Sequence, residues 1–451
     1  MRWEKESEQE NKKKVQDFQA KMKQGYEFKK AYAARRAWEF YNHPEVAGQC
    51  YVAVGGLDSI TLYLFLRSIG IDVPAVSVSM LEDRSIQRVH KAIGVKSLKP
   101  VNNPHGRPYT KVEVIREFGF PVLSKEIAQK INLLQHPSEK NATVRHAIMT
   151  GETGQYGGFR KGTRMKMSQK WLEKFGGPEN EREGTNYQTA PFLVSDLCCY
   201  YLKEKPCNDY ARESGRFPYM GLMASEGGRR QKALMLNGCN YIKKGTKRSC
   251  PFAIFTRQDL LTLAMEMDGW YHEHWEELDG NGERLDTIVP EIYGEIVRDP
   301  LEMSVEEIDA YKEDHNGLEP LGQLRTTKAQ RTGCSMCGFG IHIEHRPHRF
   351  DQLRRQNPRE WEMWMKHICQ DENGEWYGWG KVLDYIGVGW EDDIFGQEDP
   401  KPLCEECVAK LGKDFVLVQG QPGTAGKGVC WSCGRKRKVT PYWATEEVPE
   451  V

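Results

Sequence analysis

The hydrophobic pattern changes character several times along the 451-residue chain. Residues 1–45 are rich in Lys and Glu, with Phe18, Met22, Tyr26, Phe28, Ala31 and Trp38 at roughly helical spacing. That predicts one or two amphipathic helices packed on the domain that follows. From Tyr51 the pattern shortens. YVAV predicts a strand, Gly55-Gly56 breaks it, and Asp58-Ser59 opens the helix SITLYLFLRSIG. VPAVSVSM predicts the next strand and SIQRVHKAIG the next helix. Short strands alternating with such helices predict an α/β fold of parallel βαβ units with right-handed crossovers.

Residues 151–190 are Gly-rich and polar, which predicts an insertion or mobile loop. Helix and strand patterns return over 192–250, with YMGLMAS as a buried strand. An acidic helical region covers 257–315, a cysteine-bearing segment starts at Thr332, and Trp and Tyr crowd residues 361–386. The expected organisation is a helical extension (1–45), an α/β core (46–256), its helical and cysteine-bearing continuation (257–390), a linker (391–403) and a small separate module (404–451). No internal repeat of useful period is present.

Composition narrows the class. An apolar fraction of 39% and a charged fraction of 28% suit a globular enzyme with a sizeable core. No stretch approaches the ~20 apolar residues of a membrane span. The opening MRWEKESEQENKKK lacks the apolar region of a secretory signal, so a cytoplasmic setting without membrane contact is expected. There, thirteen cysteines read as metal ligands or redox groups rather than as disulfides. Lys+Arg and Asp+Glu balance at 64 each, but in blocks: residues 227–248 hold seven bases and no acid. Such a block is a solvated face or, beside a pocket, a phosphate holder.

The turn Val54-Gly55-Gly56-Leu57-Asp58-Ser59 joins the first strand to the first helix. Glycines there let a phosphate approach the backbone, and the N–H groups at the helix start attract it. Ser59 can add a hydroxyl donor, and Asp58 can cap the helix or orient a metal. A plain strand-to-helix turn uses the same residues. The pattern resembles the PP-loop, S-G-G-x-D-S, of the adenine nucleotide α-hydrolase superfamily, with Val54 replacing its first Ser. That superfamily includes ATP pyrophosphatases and phosphoadenosine phosphosulfate (PAPS) reductases. The resemblance implies a doubly wound parallel, Rossmann-like sheet with the nucleotide at the strand C-termini.

Cys198-Cys199 precedes Lys203 and Pro206, and Gly333-Cys334-Ser335-Met336-Cys337 follows far downstream. A lone Cys-Cys pair is also consistent with two small buried hydrophobes. Together, CC-x3-K-x2-P and GCxxC resemble the cluster motif of iron–sulfur adenylylsulfate (APS) and PAPS reductases. The resemblance assigns Cys198, Cys199, Cys334 and Cys337 to a 4Fe–4S cluster and puts Lys203 beside cluster and sulfate. Zinc on the same ligands is the chemical alternative. The segments around Ser85–Lys91, Glu113–Pro121, Pro290–Val297 and Leu383–Val388 resemble PAPS-reductase-like proteins of phages and mobile elements. The family likeness spans roughly residues 45–390. Within it, Gly221-Leu-Met-Ala-Ser-Glu226-Gly-Gly-Arg229-Arg230 resembles the G-x-R-x-x-[EQ]-S-x-x-R segment, with Met223 and Gly227 departing from the pattern. Arg230 then becomes an oxyanion clamp, and Arg331 can reach the same pocket. The resemblance thus implies catalytic roles for Asp58, Lys203 and Arg230, with nucleotide contacts from Gly55, Gly56, Asp58, Ser59, Arg230 and Arg331.

Among the remaining candidates, His342, His345 and His348 fit a polar loop or helix face better than a metal site. Cys239 and Cys250 can form a redox pair, whereas Cys50, Cys207 and Cys369 read as packing residues. Cys404-x2-Cys407, twenty-two residues, then Cys430-x2-Cys433 predicts a zinc ribbon. Its Arg435-Lys436-Arg437-Lys438 run, with Tyr442 and Trp443, suits nucleic-acid backbone contact or a solubilising patch.

The E-C-G-x-H tail that carries the reductase nucleophile is missing, and the chain ends in PYWATEEVPEV. The nearly intact GGLDS turn instead implies ATP cleaved between its α and β phosphates, with Mg²⁺ offsetting charge and the cluster serving sulfur transfer. Such an enzyme would draw on a thioredoxin-like or other sulfur or electron donor. Direct reduction of APS or PAPS, and a nucleic-acid-binding accessory protein without turnover, are the two alternatives.

Overall fold

The computed structural model describes residues 2–152, 165–177, 186–243, 245–301, 303–314, 319–330, 334, 336–392, 401–411, 416–419, 426–430, 433 and 435–445. Arg331, most of the 391–403 linker and parts of the 151–190 segment therefore lie outside the described residues. The chain divides into two compact units, each discontinuous in sequence: 1–114 with 197–337, and 115–196 with 338–451.

The first unit is α/β. Two helices, α1 (Arg2–Met22) and α2 (Tyr26–Tyr41), precede its sheet. Its sheet contains β1 (Cys50–Ala53), β2 (Ala75–Ser77), β3 (Lys96–Ser97), β4 (Phe217–Tyr219), β5 (Asn240–Lys243) and β6 (Thr246–Ser249), in the order β3-β2-β1-β4-β6-β5. All neighbours run parallel except the β5–β6 hairpin. From β1 the chain winds outward through α3 (Leu57–Ser68), β2, α4 (Arg84–Ala92) and β3, then returns on the other side of β1 as β4. The strand order therefore reverses between β1 and β4.

Helix α3 is apolar almost all round, and eight of its residues, Leu57 and Ile60–Leu66, are buried. A helix with no polar stripe has to be covered on every side. Here α6 (Arg257–His274) packs on α3, and α2 sends Ala33, Ala37 and Phe40 into the same core. The N-terminal helices are tied in by charge as well. Lys29 is buried and donates to the buried Asp259 at 2.7 Å. Asp259 also closes the α6 capping box with Thr256, and Tyr26 and Lys30 bond Glu266 two turns further on. The stretch YMGLMAS departs from its expected strand. Only Phe217–Tyr219 pairs, through Val52↔Tyr219, and the chain from Met220 leaves the sheet to wall a cleft.

The second unit packs short helices around aromatic side chains. Trp379 is fully buried, with Phe120 and Phe350 at 5.0 and 5.3 Å between ring centroids. Gly338 lies so close to this ring that a Cβ would stand 2.4 Å from it. The unit also contains the C-terminal sheet of β7 (Lys401–Cys404), β8 (Val416–Gln419), β9 (Gly426–Val429) and β10 (Lys436–Thr445). Here β7, β8 and β9 all pair antiparallel with β10.

Candidate functional site

At the C-terminal ends of β1 and β4 lies a cleft of about 620 Å³, at the point where the strand order reverses. In open α/β sheets this is where ligands bind. Ala53, Gly56, Asp58 and Ser59 form one wall, Met220–Met223 the other, and Glu226, Arg230, Arg257 and Tyr293 close it. Gly221 lets the walls approach: a Cβ there would be 3.0 Å from the Asp58 carbonyl oxygen.

Three helices begin at this cleft. They are α3, capped by Gly56 without a side-chain cap bond, α5 (Gly228–Asn237) and α6. Each brings the positive end of its dipole and N–H groups to the same space. Two of them carry an arginine in the first turn, Arg230 on α5 and Arg257 on α6. A cation there is misplaced against the dipole unless an anion answers it. In the structure carboxylates answer: Arg257 donates to Asp58 at 2.9 Å and Arg230 to Glu226 at 2.6 Å. Arg257 also donates to the Gln330 carbonyl at 3.0 Å, next to the segment leading to Cys334.

Of the residues expected from sequence, Gly56, Asp58, Ser59 and Arg230 line the cleft. Gly55 sits behind it. Its N–H donates to Ser59 Oγ at 2.7 Å, and that hydroxyl donates to the Gly56 carbonyl at 3.0 Å. The Ser59 hydroxyl, expected to face a ligand, thus closes the turn on itself. Sequence reasoning missed Arg257, although the capping box Thr256-x-x-Asp259 marks a helix start and leaves a cation unexplained in its first turn. It also missed Glu82 and His90, which lie under the glycine turn.

Cys198 and Cys199 sit on a helical turn that widens into a π-helical segment, Tyr200–Glu204, before Lys205–Ser214 continues. Pro206 explains the wide turn, since it lacks an N–H and its ring crowds the preceding carbonyl. Lys203 lies on this segment. Its ammonium donates to Glu82 at 2.5 Å, and the Cys334 sulfur lies near enough to act on it. Burial alone would depress Lys203, but Cys334 and Glu82 outweigh it and push its pKa up. Cys334 and Cys337 bracket a tight turn, with the Cys337 N–H on the Cys334 carbonyl at 3.0 Å and Met336 at φ 54°. Burial pushes the Cys198 thiol up; Lys111 opposes this, and the sulfurs of Cys199, Cys334 and Cys337 reinforce it. The four cysteines are thus brought together, yet no three of their sulfurs lie within 4.8 Å of one another.

Cys404, Cys407, Cys430 and Cys433 differ. Their sulfurs all lie within 4.8 Å of one another, with Cys404 and Cys433 at 3.8 Å. Tetrahedral zinc with Zn–S of about 2.3 Å sets its sulfurs about 3.8 Å apart, so this group fits a zinc site. The Cys404 N–H donates to Cys430 Sγ at 3.3 Å, the kind of contact that steadies a thiolate.

His348 caps the helix Arg349–Gln356 through Asp351 and bonds the Gly389 carbonyl at 3.0 Å, so its ring is engaged in structure. Cys239 and Cys250 are buried on adjoining ends of β5 and β6. No helix among the described residues is long and apolar enough to cross a membrane. Compared with protein families, with curated proteins and with solved structures, the chain matches none.

Proposed function

We propose that the chain is a doubly wound adenine-nucleotide enzyme that activates an acceptor with ATP and couples this activation to sulfur transfer. The observation that carries it is the cleft between β1 and β4, where three helix N-termini, Arg230 and Arg257 converge on a nucleotide-sized space. Asp58 and Glu226 neutralise both arginines, so a bare anion gains little there. A magnesium polyphosphate changes the balance: the carboxylates can turn to the metal and the guanidiniums to phosphate oxygens. That favours ATP over APS or PAPS. An acceptor oxygen would attack the α-phosphorus. The bond to the β-phosphate would break, and pyrophosphate would leave with the electron pair.

The sulfurs of Cys199, Cys334 and Cys337 all act on the Cys198 thiol, so the four lie close enough to serve one polynuclear group. Lys111 and Lys203 stand by to offset thiolate charge. These residues would hold a 4Fe–4S cluster, which when bound supplies electron-transfer or sulfur chemistry. The sulfur itself has to come from a separate persulfide-bearing donor, with a thioredoxin-like dithiol supplying any electrons the exchange consumes. Anaerobically purified protein should contain about four iron atoms per chain at these cysteines.

The test is pyrophosphate release from ATP, lost in Asp58→Ala and Arg257→Ala. Sulfite release from PAPS would favour the reductase instead. Neither product would leave a nucleic-acid-binding accessory protein. That reading draws on Arg435, Lys436 and Lys438, all exposed at the start of β10. It requires salt-sensitive binding that is lost when residues 400–451 are removed.

A further inference from the structure

His90 is almost fully buried in the last turn of α4, whose other buried residues, Ile86, Val89 and Ala92, are apolar. Both ring nitrogens are engaged. Nε2 lies 2.8 Å from the Gly55 carbonyl oxygen and Nδ1 lies 2.9 Å from Ser79 Oγ. A carbonyl only accepts, so Nε2 carries the hydrogen; the neutral ring then accepts the Ser79 hydroxyl at Nδ1. Ser79, Glu82 and Lys203 are the polar groups around it, and burial disfavours its charged form.

The Gly55 carbonyl and the Gly56 N–H belong to one planar trans peptide and point in opposite directions. Two glycines leave this peptide free to turn either way. Holding its oxygen on His90 turns the Gly56 N–H to the opposite side. Gly56 lines the cleft, and among the described residues its N–H has no acceptor. We propose that His90 is a positioning residue: through the Gly55 carbonyl it fixes the glycine peptide so that the Gly56 N–H donates to a phosphate oxygen in the cleft. This role rests on the phosphate-binding reading of the cleft and adds to it a residue that never touches the ligand.

The experiment compares full-length parent, His90→Leu, His90→Gln and His90→Asn for binding of magnesium pyrophosphate, magnesium ATP and adenosine by calorimetry, with melting curves alongside. Losing one hydrogen bond to a charged group should weaken pyrophosphate and ATP about ten- to hundredfold in His90→Leu. Adenosine, which has no phosphate, should bind as in the parent. Gln places an amide donor near the Nε2 position and should recover most of the loss, whereas Asn, which is shorter, should not. Equal pyrophosphate affinity in parent and His90→Leu overturns the role while the cleft reading stands. So does equal recovery by Gln and Asn, which also decides the matter if the Leu variant fails to fold. A parent that binds neither pyrophosphate nor ATP overturns the cleft reading and this role with it. Nitrogen-15 shifts of the His90 ring in the ligand-free protein should show the Nε2–H tautomer, and the Nδ1–H tautomer would overturn the geometry directly.

Discussion

Two sets of four cysteines occupy this chain, and they gather differently. In the C-terminal sheet two CxxC turns bring four sulfurs within 4.8 Å of one another. In the α/β unit one pair sits on a π-widened helix and the other on a distant turn, and the four stand further apart. Their surroundings differ more. Among the described residues the C-terminal module buries Leu403, Cys404, Cys407, Cys430 and Val439 as its cluster, so three of those five are candidate ligands. The α/β unit buries an extended core running from Phe18 to Ile288, in which neither Cys198 nor Cys199 takes part. In one region the metal would be the core. In the other it would be a guest beside a core that already exists.

Removing the metal is the strongest way to break that contrast. Structural zinc in small domains contributes about 10–16 kcal/mol, more than so small an apolar cluster can replace. Cys430→Ser or a strong chelator should therefore abolish zinc binding and leave the amides of 436–440 unprotected in hydrogen exchange. Cys198→Ser should remove iron but leave the α/β unit melting within about 1–3 kcal/mol of the parent, the range of an ordinary single substitution. If the α/β unit unfolds as completely as the module, the cysteines at 198 and 199 are structural after all.

The next effect tests what does hold the α/β unit. Lys29 and Asp259 form a pair with side chains only 5% and 10% exposed. Removing one partner leaves the other charged and buried, at a cost of about 3–5 kcal/mol. Lys29→Ala should lower stability by that amount in a denaturant titration. Lys14→Ala, at an exposed pair with Glu10, should leave the titration midpoint close to that of the parent. Similar losses at both sites would mean that the N-terminal helices are appended rather than built into the core.

The sequence shows these two regions to unequal depth, for physical reasons. The βαβ alternation from Tyr51 was legible because a short strand and a fully buried helix leave unambiguous patterns. The C-terminal cysteine group was legible because its ligand spacing is local. The glycine turn and Arg230 were legible as types of residue. Their partners were not: Glu82 and His90 reach the turn through the β1–β2 crossover and Arg257 through the packing of α6 on α3, and no local period encodes either. The seams between the two units, at 114/115, 196/197 and 337/338, are equally silent, because each unit closes on itself from distant segments. YMGLMAS was misjudged as a strand for a related reason. Its Met220, Leu222 and Met223 wall a cleft, and burial in a cleft wall leaves the same signature as burial in a sheet.

A smaller effect probes the close approach of the cleft walls. A Cβ on Gly221 would meet the Asp58 carbonyl carbon at 3.1 Å and Ser59 Cα at 3.2 Å, both on backbone that carries the glycine turn. Gly221→Ala should cost about 1–3 kcal/mol as an overpacked site. It should also weaken nucleotide binding severalfold, because the start of α3 has to move. An unchanged affinity with a lowered melting temperature would separate packing from binding and move the ligand away from this wall.

The smallest effect concerns His90 and pH. Burial pushes its pKa below the ordinary value, partly offset by the Gly55 carbonyl. The unfolded chain keeps that group near 6.5, so between the two values the unfolded state binds more protons than the folded state. Stability therefore rises with pH across that window. The contribution of His90 is complete above about pH 6.5 and is lost as pH falls through the folded value. His90→Gln does not titrate, so the stability difference between parent and variant should stay constant above about pH 6.5 and move against the parent below it. A parent that instead gains on the variant as pH falls would mean that the ring charges and pairs with Glu82. The Gly55 carbonyl would keep its donor, but Nδ1 could no longer accept from Ser79. The neutral relay that aims the Gly56 N–H would then have to be abandoned, although the cleft and its arginines would remain.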